Sequence, residues 1–143
     1  GEHFMNDNQF VIFRLADEYY GIKIENVETI ERIMEITRVP KTQNYIKGVI
    51  NLRGEIVPII DLRDRLGLPS KDYDSETRII VNKKQDLMIG YIVDSASEVK
   101  DIPPSAISYG TFEENLSETF VKGIGKVENQ MIILLDVDKI IEH

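Results

Sequence analysis

Carboxylates are the side chains of this sequence whose type and spacing could support catalysis. Asp61 lies three residues before Asp64, and Asp136 lies two residues before Asp138, so either pair could act as an acid and a base in hydrolysis. Helix capping is the simpler role, because each first aspartate directly precedes a short amphipathic segment. We therefore predict that Asp61 and Asp136 cap helices and that the chain has no catalytic residues.

The composition argues against most other chemistry. The 143 residues include no cysteine, so thiolate chemistry is excluded. The two histidines, His3 and His143, lie near the ends of the sequence, so the predicted strands and helices contain no imidazole. No phosphate-binding loop, dinucleotide motif or EF-hand spacing occurs in the sequence. The net charge of −8, without a cluster of basic residues, disfavours nucleic acid and anionic lipid. We expect no cofactor and no metal, and a cytoplasmic protein that does not insert into a membrane.

Arg53 is the first residue that suggests binding of another protein. It lies between Asn51 and Gly54 at the predicted tip of a hairpin, where glycine supplies the positive φ of a short turn. A guanidinium displayed there can make forked hydrogen bonds to a partner. The alternative is an arginine that only contacts water.

Three apolar residues have the same ambiguity. Val27 and Ile30 are three residues apart, a spacing that suits either a core-facing helical turn or a contact surface. Phe112 is an aromatic residue in the polar loop from Ser105 to Thr119, and it either packs back onto the protein or projects as an interface anchor.

A duplication organises the elements that must position these residues. YIKGVINLRGEIVPIIDLR, residues 45–63, returns as FVKGIGKVENQMIILLDVD at residues 120–138, 75 positions later. FVIFRLADEYYGIKIENVETI, around Gly21, matches IIVNKKQDLMIGYIVDSASEV, around Gly90, at an offset of 69. Arg53 corresponds to Glu128, so the duplication does not itself require a cation at the turn. Two similar lobes that share an interface are the simplest expectation.

The residue types favour β-structure. Isoleucine and valine number 33 against nine leucines, an excess typical of strands, where β-branched side chains pack well. The pattern predicts the following elements: strands at 9–15 and 19–24, a hairpin of Val49–Leu52 and Ile56–Ile60, a helix in LRDRLG, strands near 77–82, 87–94, 121–127 and 131–135, and a helix after Asp136. The apolar positions Ile24, Val27, Ile30 and Ile33 predict one or two helical turns and then a strand to Thr37, with an extended segment from Thr29 as the alternative.

Four segments, taken together in order, resemble the CheW-like coupling proteins of bacterial chemotaxis: FVIFRLADEYYGIKIENVETI, IKGVINLRGEIVPIIDLR, GYIVDSASEV and KGIGKVENQMIILLDVDKII. The resemblance implies an all-β fold of two packed five-stranded SH3-like barrels. We expect a single CheW-like domain at 9–141, with approximate halves 9–68 and 77–141 and strand exchange between them left open. Residues 1–8 are expected to be a flexible N-terminus that begins with added residues, 1–4.

The resemblance also implies a function. Proteins of this family are non-enzymatic adaptors that link the cytoplasmic tips of chemoreceptors to the histidine kinase CheA, at arrays on the inner face of the membrane. The free protein is expected to be a monomer. Receptor contacts in the family lie in a groove between the lobes, which maps onto these residues: Val27, Ile30, Asn51, Arg53, Gly54 and Val99. Phe112 corresponds to an aromatic residue in the contact with the kinase or within the array ring. The alternative is an SH3- or OB-like module that binds nucleic acid or another protein.

Overall fold

The computed structural model describes residues 8–40, 42, 45–109 and 120–141. Within these ranges the chain is mainly β, as predicted, with two α-helices of four residues each. The elements are β1 Gln9–Leu15, β2 Glu18–Lys23, β3 Val27–Arg32, β4 Ile46–Leu52, β5 Glu55–Asp61, α1 Leu62–Arg65, β6 Arg78–Lys84, β7 Leu87–Val93, β8 Ser95–Asp101, β9 Ile107–Ser108, β10 Val121–Val127, β11 Gln130–Leu135 and α2 Val137–Ile140.

The strands belong to two compact units. The central unit, Asn26–Ser95, contains a five-stranded sheet in the order β3-β6-β7-β5-β4. The terminal unit combines Gly1–Glu25 with Ala96–His143 and contains a six-stranded sheet in the order β8-β1-β2-β11-β10-β9. The sixth strand, β9, has two residues, so the terminal sheet is close to the five strands that the family resemblance implied.

The two sheets do not follow the halves 9–68 and 77–141. Each sheet combines a hairpin from one half with strands from the other, so β6–β7 joins β3–β5 while β1–β2 joins β8–β11. In each sheet a parallel strand pair joins the strands of the two halves: β5 pairs with β7, and β11 pairs with β2. A hairpin is specified by its local turn, whereas the partner of its outer edge is a non-local choice that the repeat pattern does not encode.

The duplication is visible in the backbone of each unit. Ile59 pairs with Gly90 in the central unit and Leu134 with Gly21 in the terminal unit, and these positions correspond at the offsets of 75 and 69. The register also shifts at the same place in both hairpins, before Gly48 in β4 and before Gly123 in β10. Positive φ angles recur at three equivalent pairs: Ala16 with Gln85, Arg53 with Glu128, and Gly54 with Asn129.

Each unit encloses its own aliphatic core. The core of the central unit comprises Ile50, Leu52, Val57, Ile59, Ile79, Val81 and Ile92, with Ile33, Met34, Ile36 and Met88 packed against it. The core of the terminal unit comprises Phe10, Ile12, Ile102, Ile132 and Leu134. In the central unit the chain after β3 crosses to the far edge of the sheet, where Thr37 exchanges two backbone hydrogen bonds with Val49. This pairing closes the sheet into a small barrel.

Two local predictions differ from the structure. The predicted helical turn is present as the 3-10 helix Ile24–Asn26, but the strand that follows it begins at Val27 and ends at Arg32 instead of Thr37. A register shift between Val27 and Thr29 explains the error, because an inserted residue turns the two-residue period of a strand into a spacing of three. Strand β8 was missed because its sequence, SASEVKD, is mostly polar.

Candidate functional site

The tip of the β4–β5 hairpin is a tight turn in which two residues have left-handed backbone conformations. Arg53 has a φ of 51° and Gly54 a φ of 88°, the combination that suits two-residue hairpin turns. The side-chain oxygen of Asn51 accepts a hydrogen bond of 2.9 Å from the Gly54 amide. Asn51 and Gly54 therefore hold the turn, as expected for Gly54, and Arg53 is the residue that the turn displays.

Arg53 connects the hairpin tip to strand β3. Its guanidinium Nη2 lies 3.4 Å from Oε2 of Glu31, which also accepts a 2.8 Å hydrogen bond from the Thr29 hydroxyl. The Arg53 side chain is 73% exposed and the Glu31 side chain only 18%. Because Arg53 is mostly solvated, the pair contributes little to stability. The same exposure leaves the outer face of the guanidinium available to a partner.

Strand β3 places Ile30 on the surface next to this ion pair in sequence. Ile30 is 41% exposed, whereas Val27 is half-buried at the start of the strand. The structure therefore brings Asn51, Arg53 and Gly54 together at the tip, and Arg53 contacts Glu31 on β3. Ile30 precedes Glu31 on this strand, so its side chain lies on the opposite face of the sheet. The hairpin tip thus offers a displayed cation, and Ile30 offers exposed apolar area on the other face of β3.

Val99 lies in the terminal unit, on strand β8, and is 46% exposed. Its neighbour Lys100 donates a 2.7 Å hydrogen bond to Glu128 at the tip of the β10–β11 hairpin. The Lys100 side chain is 14% exposed and that of Glu128 is 73% exposed. The hydrogen bond raises the pKa of Lys100 and lowers that of Glu128. Phe112 lies outside the described residues.

The two aspartates first considered for catalysis cap helices. Asp61 accepts hydrogen bonds from the amides of Arg63 and Asp64 at the start of α1, and Asp136 accepts one from Asp138 at the start of α2. The second carboxylate oxygen of Asp61 accepts a 2.8 Å hydrogen bond from the Tyr73 hydroxyl. Burial and this bond to a carboxylate raise the pKa of Tyr73. The capping prediction is confirmed.

A surface pocket of about 290 Å³ in the central unit is lined by Lys47, Asp61, Arg63, Asp64, Ser70, Lys71, Asp72 and Tyr73. Two of its three basic side chains are already paired, because Arg63 binds both carboxylate oxygens of Asp94 at 2.9 and 2.6 Å, and Lys71 contacts Asp74 at 2.8 Å. In the described ranges no group of three or more acidic, histidine or cysteine side chains could hold a metal ion. None of the helices in those ranges is long and apolar enough to span a membrane.

Three charged residues of these regions were missed from the sequence: Glu31, Lys100 and Glu128. A comparison of the two repeats could have found them. Glu31 and Lys100 are 69 positions apart, and Arg53 and Glu128 are 75 apart, so the repeats place opposite charges at both pairs of positions. The signal in the sequence was that the charge changes sign between the repeats at both pairs of positions.

Two small β-units with exposed apolar residues and ion pairs at strand edges and hairpin tips define a protein-binding scaffold. The comparisons with known proteins agree with this class. The CheW-like domain family matches residues 9–143, and the chain belongs to that family.

Individual relatives support the assignment. The chain is 37% identical to the chemotaxis protein CheW of Klebsiella aerogenes over 134 residues, covering 93% of this chain and 81% of that protein. It is 36% identical to the CheW of Bacillus subtilis over 135 residues, covering 94% and 86%. The crystal structure of the scaffolding protein TtCheW from Thermoanaerobacter tengcongensis matches with a TM-score of 0.88 and 34% identity, covering 95% and 93% of the two chains.

Proposed function

We propose that this protein is a non-enzymatic adaptor that couples the cytoplasmic tips of chemoreceptors to the histidine kinase CheA. Membership of the CheW-like family supports the class of function. The observation that carries the proposal to particular residues is the exposed guanidinium of Arg53, paired with Glu31 on β3, because a displayed guanidinium can make forked hydrogen bonds to another protein. Ile30 adds exposed apolar area on the other face of the same strand.

The receptor contact is proposed to use Val27, Ile30, Asn51, Arg53 and Gly54 of the central unit and Val99 of the terminal unit. Arg53 supplies the forked hydrogen bonds, Ile30 and Val99 supply apolar area, and Asn51 and Gly54 keep the turn in its binding geometry. Phe112 stays a prediction for the contact with the kinase or within the array ring. With these partners, the protein would act in the cytoplasm, at receptor arrays.

An adaptor regulates a kinase only if its contacts differ in free energy between signalling states. A ligand that binds both states equally shifts no equilibrium, so simple tethering would raise local concentration without transmitting a signal. Modest contacts at several sites can still give a stable array, because linked weak interactions raise the overall affinity by orders of magnitude. We therefore expect modest affinity for each isolated partner.

The test is a reconstitution with CheA and a chemoreceptor cytoplasmic fragment. Adding this protein should raise receptor-dependent phosphate incorporation into CheA and bring receptor and kinase into one sedimenting complex. Arg53→Glu should weaken both effects while keeping the melting temperature. Lys47→Glu, an equal charge change at an exposed position on the same hairpin, is the matched control and should behave as the wild type.

Two results would count against the proposal. Unchanged kinase activity with no co-sedimentation would overturn the adaptor function itself. Normal coupling by Arg53→Glu would leave the function standing and remove Arg53 from the contact, as expected for an arginine that only faces water.

A further inference from the structure

Asn82 is a buried amide of the central unit whose oxygen has no hydrogen-bond partner. The residue is 5% exposed, and its Oδ1 atom accepts no hydrogen bond from the residues that the structure describes. Its neighbours across the strand ladder are Val27 on β3 and Ile89 on β7, and Ile80 lies on the same face of β6. A buried oxygen without a partner destabilises a fold, because it loses the water that it binds in the unfolded chain.

The fold does not require an amide at this position. The equivalent residue of the terminal unit, 69 positions earlier, is Phe13, which is 1% exposed and stacks on Tyr20 with the ring centroids 5.9 Å apart. Phe13 pairs with Tyr20 as Asn82 pairs with Ile89, so the same place in the same backbone accepts an apolar side chain. A polar group that the architecture neither needs nor satisfies is a candidate for function.

Thr77 is the other buried polar residue of the described central unit, and its hydroxyl has a partner. Thr77 is 2% exposed, and its hydroxyl oxygen accepts a 2.8 Å hydrogen bond from the amide of Asp74. This bond holds the turn that leads into β6, so the role of Thr77 is structural. Asn82 is equally buried and its oxygen holds no other described residue in place.

Asn82 lies one strand in from an edge of the sheet, beside an interruption of the ladder. β3 is the edge strand, and its pairing with β6 skips Glu28, the residue after Val27. Val27 lies opposite Asn82 and is itself half-buried. An extra residue in one strand disrupts the pairing locally, so β3 is held less firmly here than along a regular ladder.

The interruption also sets which side chains share a face with Asn82. Val27 pairs with Asn82, and Ile30 pairs with Ile80, two residues earlier on β6. Residues two apart on a strand point to the same face, so Val27 and Ile30 lie on the face of Asn82. Both belong to the proposed receptor contact. A receptor segment that covers them therefore lies over the edge of the sheet at which the amide is buried.

We propose that Asn82 accepts a hydrogen bond from an N–H or O–H group of the receptor segment that packs on Val27 and Ile30. The inference rests on the proposed function and adds to it a specificity-determining residue and the chemistry of its partner. The Val27 side chain moves aside on docking, and the oxygen that lacks a bond in the free protein gains one in the complex. A segment with only apolar side chains leaves the oxygen unsatisfied and binds more weakly.

Valine and threonine at position 82 test the acceptor, because they have the same shape and differ in one hydroxyl. Asn82→Val removes the acceptor, and Asn82→Thr keeps one. Asn82→Val should melt at the higher temperature, because the threonine hydroxyl lacks a partner in the free protein. Thr77→Val is the matched control, since the same exchange removes a hydroxyl that has a partner and should lower the melting temperature.

Affinities of the whole-chain variants are measured for a receptor cytoplasmic fragment and, separately, for CheA. Asn82→Val should bind the receptor fragment at least about fivefold more weakly than Asn82→Thr, as expected for the loss of one hydrogen bond. Affinity for CheA should be unchanged in both, and Thr77→Val should bind both partners as the wild type does.

A second set of receptor fragments identifies the donor. Exposed side chains that carry an N–H or O–H group are changed singly to alanine. One of these changes should weaken binding to the wild-type chain and leave binding to Asn82→Val unaltered, because two groups that contact each other are not independent in a double-mutant cycle.

Several outcomes overturn the inference. Equal receptor affinities of Asn82→Val and Asn82→Thr would remove Asn82 from the contact, and a loss confined to CheA would assign it to the kinase. A higher melting temperature for Asn82→Thr, or unfolding of both variants, would mean that the folded chain satisfies the group itself, through a trapped water only. Wild-type chain that binds CheA but no receptor fragment would instead contradict the proposed function.

Discussion

The central and terminal units share a backbone and differ in the side chains it displays. Turn conformations, register shifts and capped helices recur at equivalent positions, yet the exposed tip residue is Arg53 in one unit and Glu128 in the other. The comparison teaches that the repeated features specify the fold. The positions where the repeats disagree while the backbone agrees are the better candidates for binding.

The units also differ in the contacts made at the start of the helices α1 and α2. In the central unit Asp61 caps α1 and also accepts from Tyr73, while Arg63 reaches both Asp94 and the carbonyl of Pro69. At the equivalent position of the terminal unit, Asp136 caps α2. In the central unit, side chains at the start of α1 therefore hold the segment that leads to β6.

The largest effect should come from a carboxylate in either core. Ile59 and Leu134 are equivalent and fully buried, so Ile59→Asp and Leu134→Asp should each cost several kcal/mol of a total of about 5–15 kcal/mol and unfold the unit concerned. Circular dichroism melting measures the loss, with Ile59→Val and Leu134→Ile as controls. A retained melting temperature in only one aspartate variant would break the equivalence of the two units.

Gly48 and Gly123 are equivalent positions at which a substitution by alanine should destabilise the two units by different amounts. A Cβ added to Gly48 would collide with the carbonyl oxygen of Thr37 and lie 2.8 Å from Ile36, whereas one added to Gly123 would find its nearest atom, on Ile107, at 3.0 Å. Overpacking typically costs about 1–3 kcal/mol. We expect Gly48→Ala to cost at least about 3 kcal/mol and Gly123→Ala about 1 kcal/mol by urea unfolding. Equal costs would show that the backbone at Thr37 moves away from an added Cβ with little loss of stability.

Arg63 and Asp138 occupy equivalent positions with different roles. Arg63→Met leaves the carboxylate of Asp94 without its bidentate partner in a largely covered position, so a loss of about 2–3 kcal/mol is expected. Asp138→Met removes an exposed carboxylate from the first turn of α2 and should cost less than about 1 kcal/mol. Denaturant unfolding of both variants measures the difference, and a neutral Arg63→Met would mean that the segment before β6 holds without this pair.

The smallest effect concerns pH. Because the hydrogen bond from Lys100 lowers the pKa of Glu128, the stability it contributes is present above the carboxyl's unfolded pKa and is lost as pH falls through the folded value. The raised pKa of Lys100 gives the opposite limit, with stability lost as pH rises through its folded value. An NMR titration should find the Glu128 pKa depressed in the wild type and raised toward its ordinary value in Lys100→Ala. An unchanged pKa would contradict the contact.

The sequence predicted features that depend on local chemistry. Paired hairpins, the positive φ at Gly54 and the aspartate caps follow from residue types and spacing over a few positions, and the structure contains all of them. The left-handed conformation of Arg53 was not expected, because arginine has no intrinsic preference for it and the turn type imposes it.

Non-local choices were beyond the sequence. The exchange of hairpins between the two sheets depends on which edges pair in parallel. The shifted register of β3 gave its apolar residues a spacing of three, so the sequence did not show that the helical turn ends at Asn26. The candidate site was predicted at Ile30 and the Arg53 turn, whereas Glu31 and the Lys100–Glu128 pair required knowledge of which strand lies beside each tip.

The continuity of the central unit has a consequence for protein synthesis. Its strands are complete once residue 95 has left the ribosome, whereas the β1–β2 hairpin is made before it and lacks β10 and β11 until residues 121–135 have followed. Domains fold as units during synthesis, so the middle of the chain should reach its native form before the beginning does. The β1–β2 hairpin would then stay without its sheet neighbours for longer than any other described hairpin.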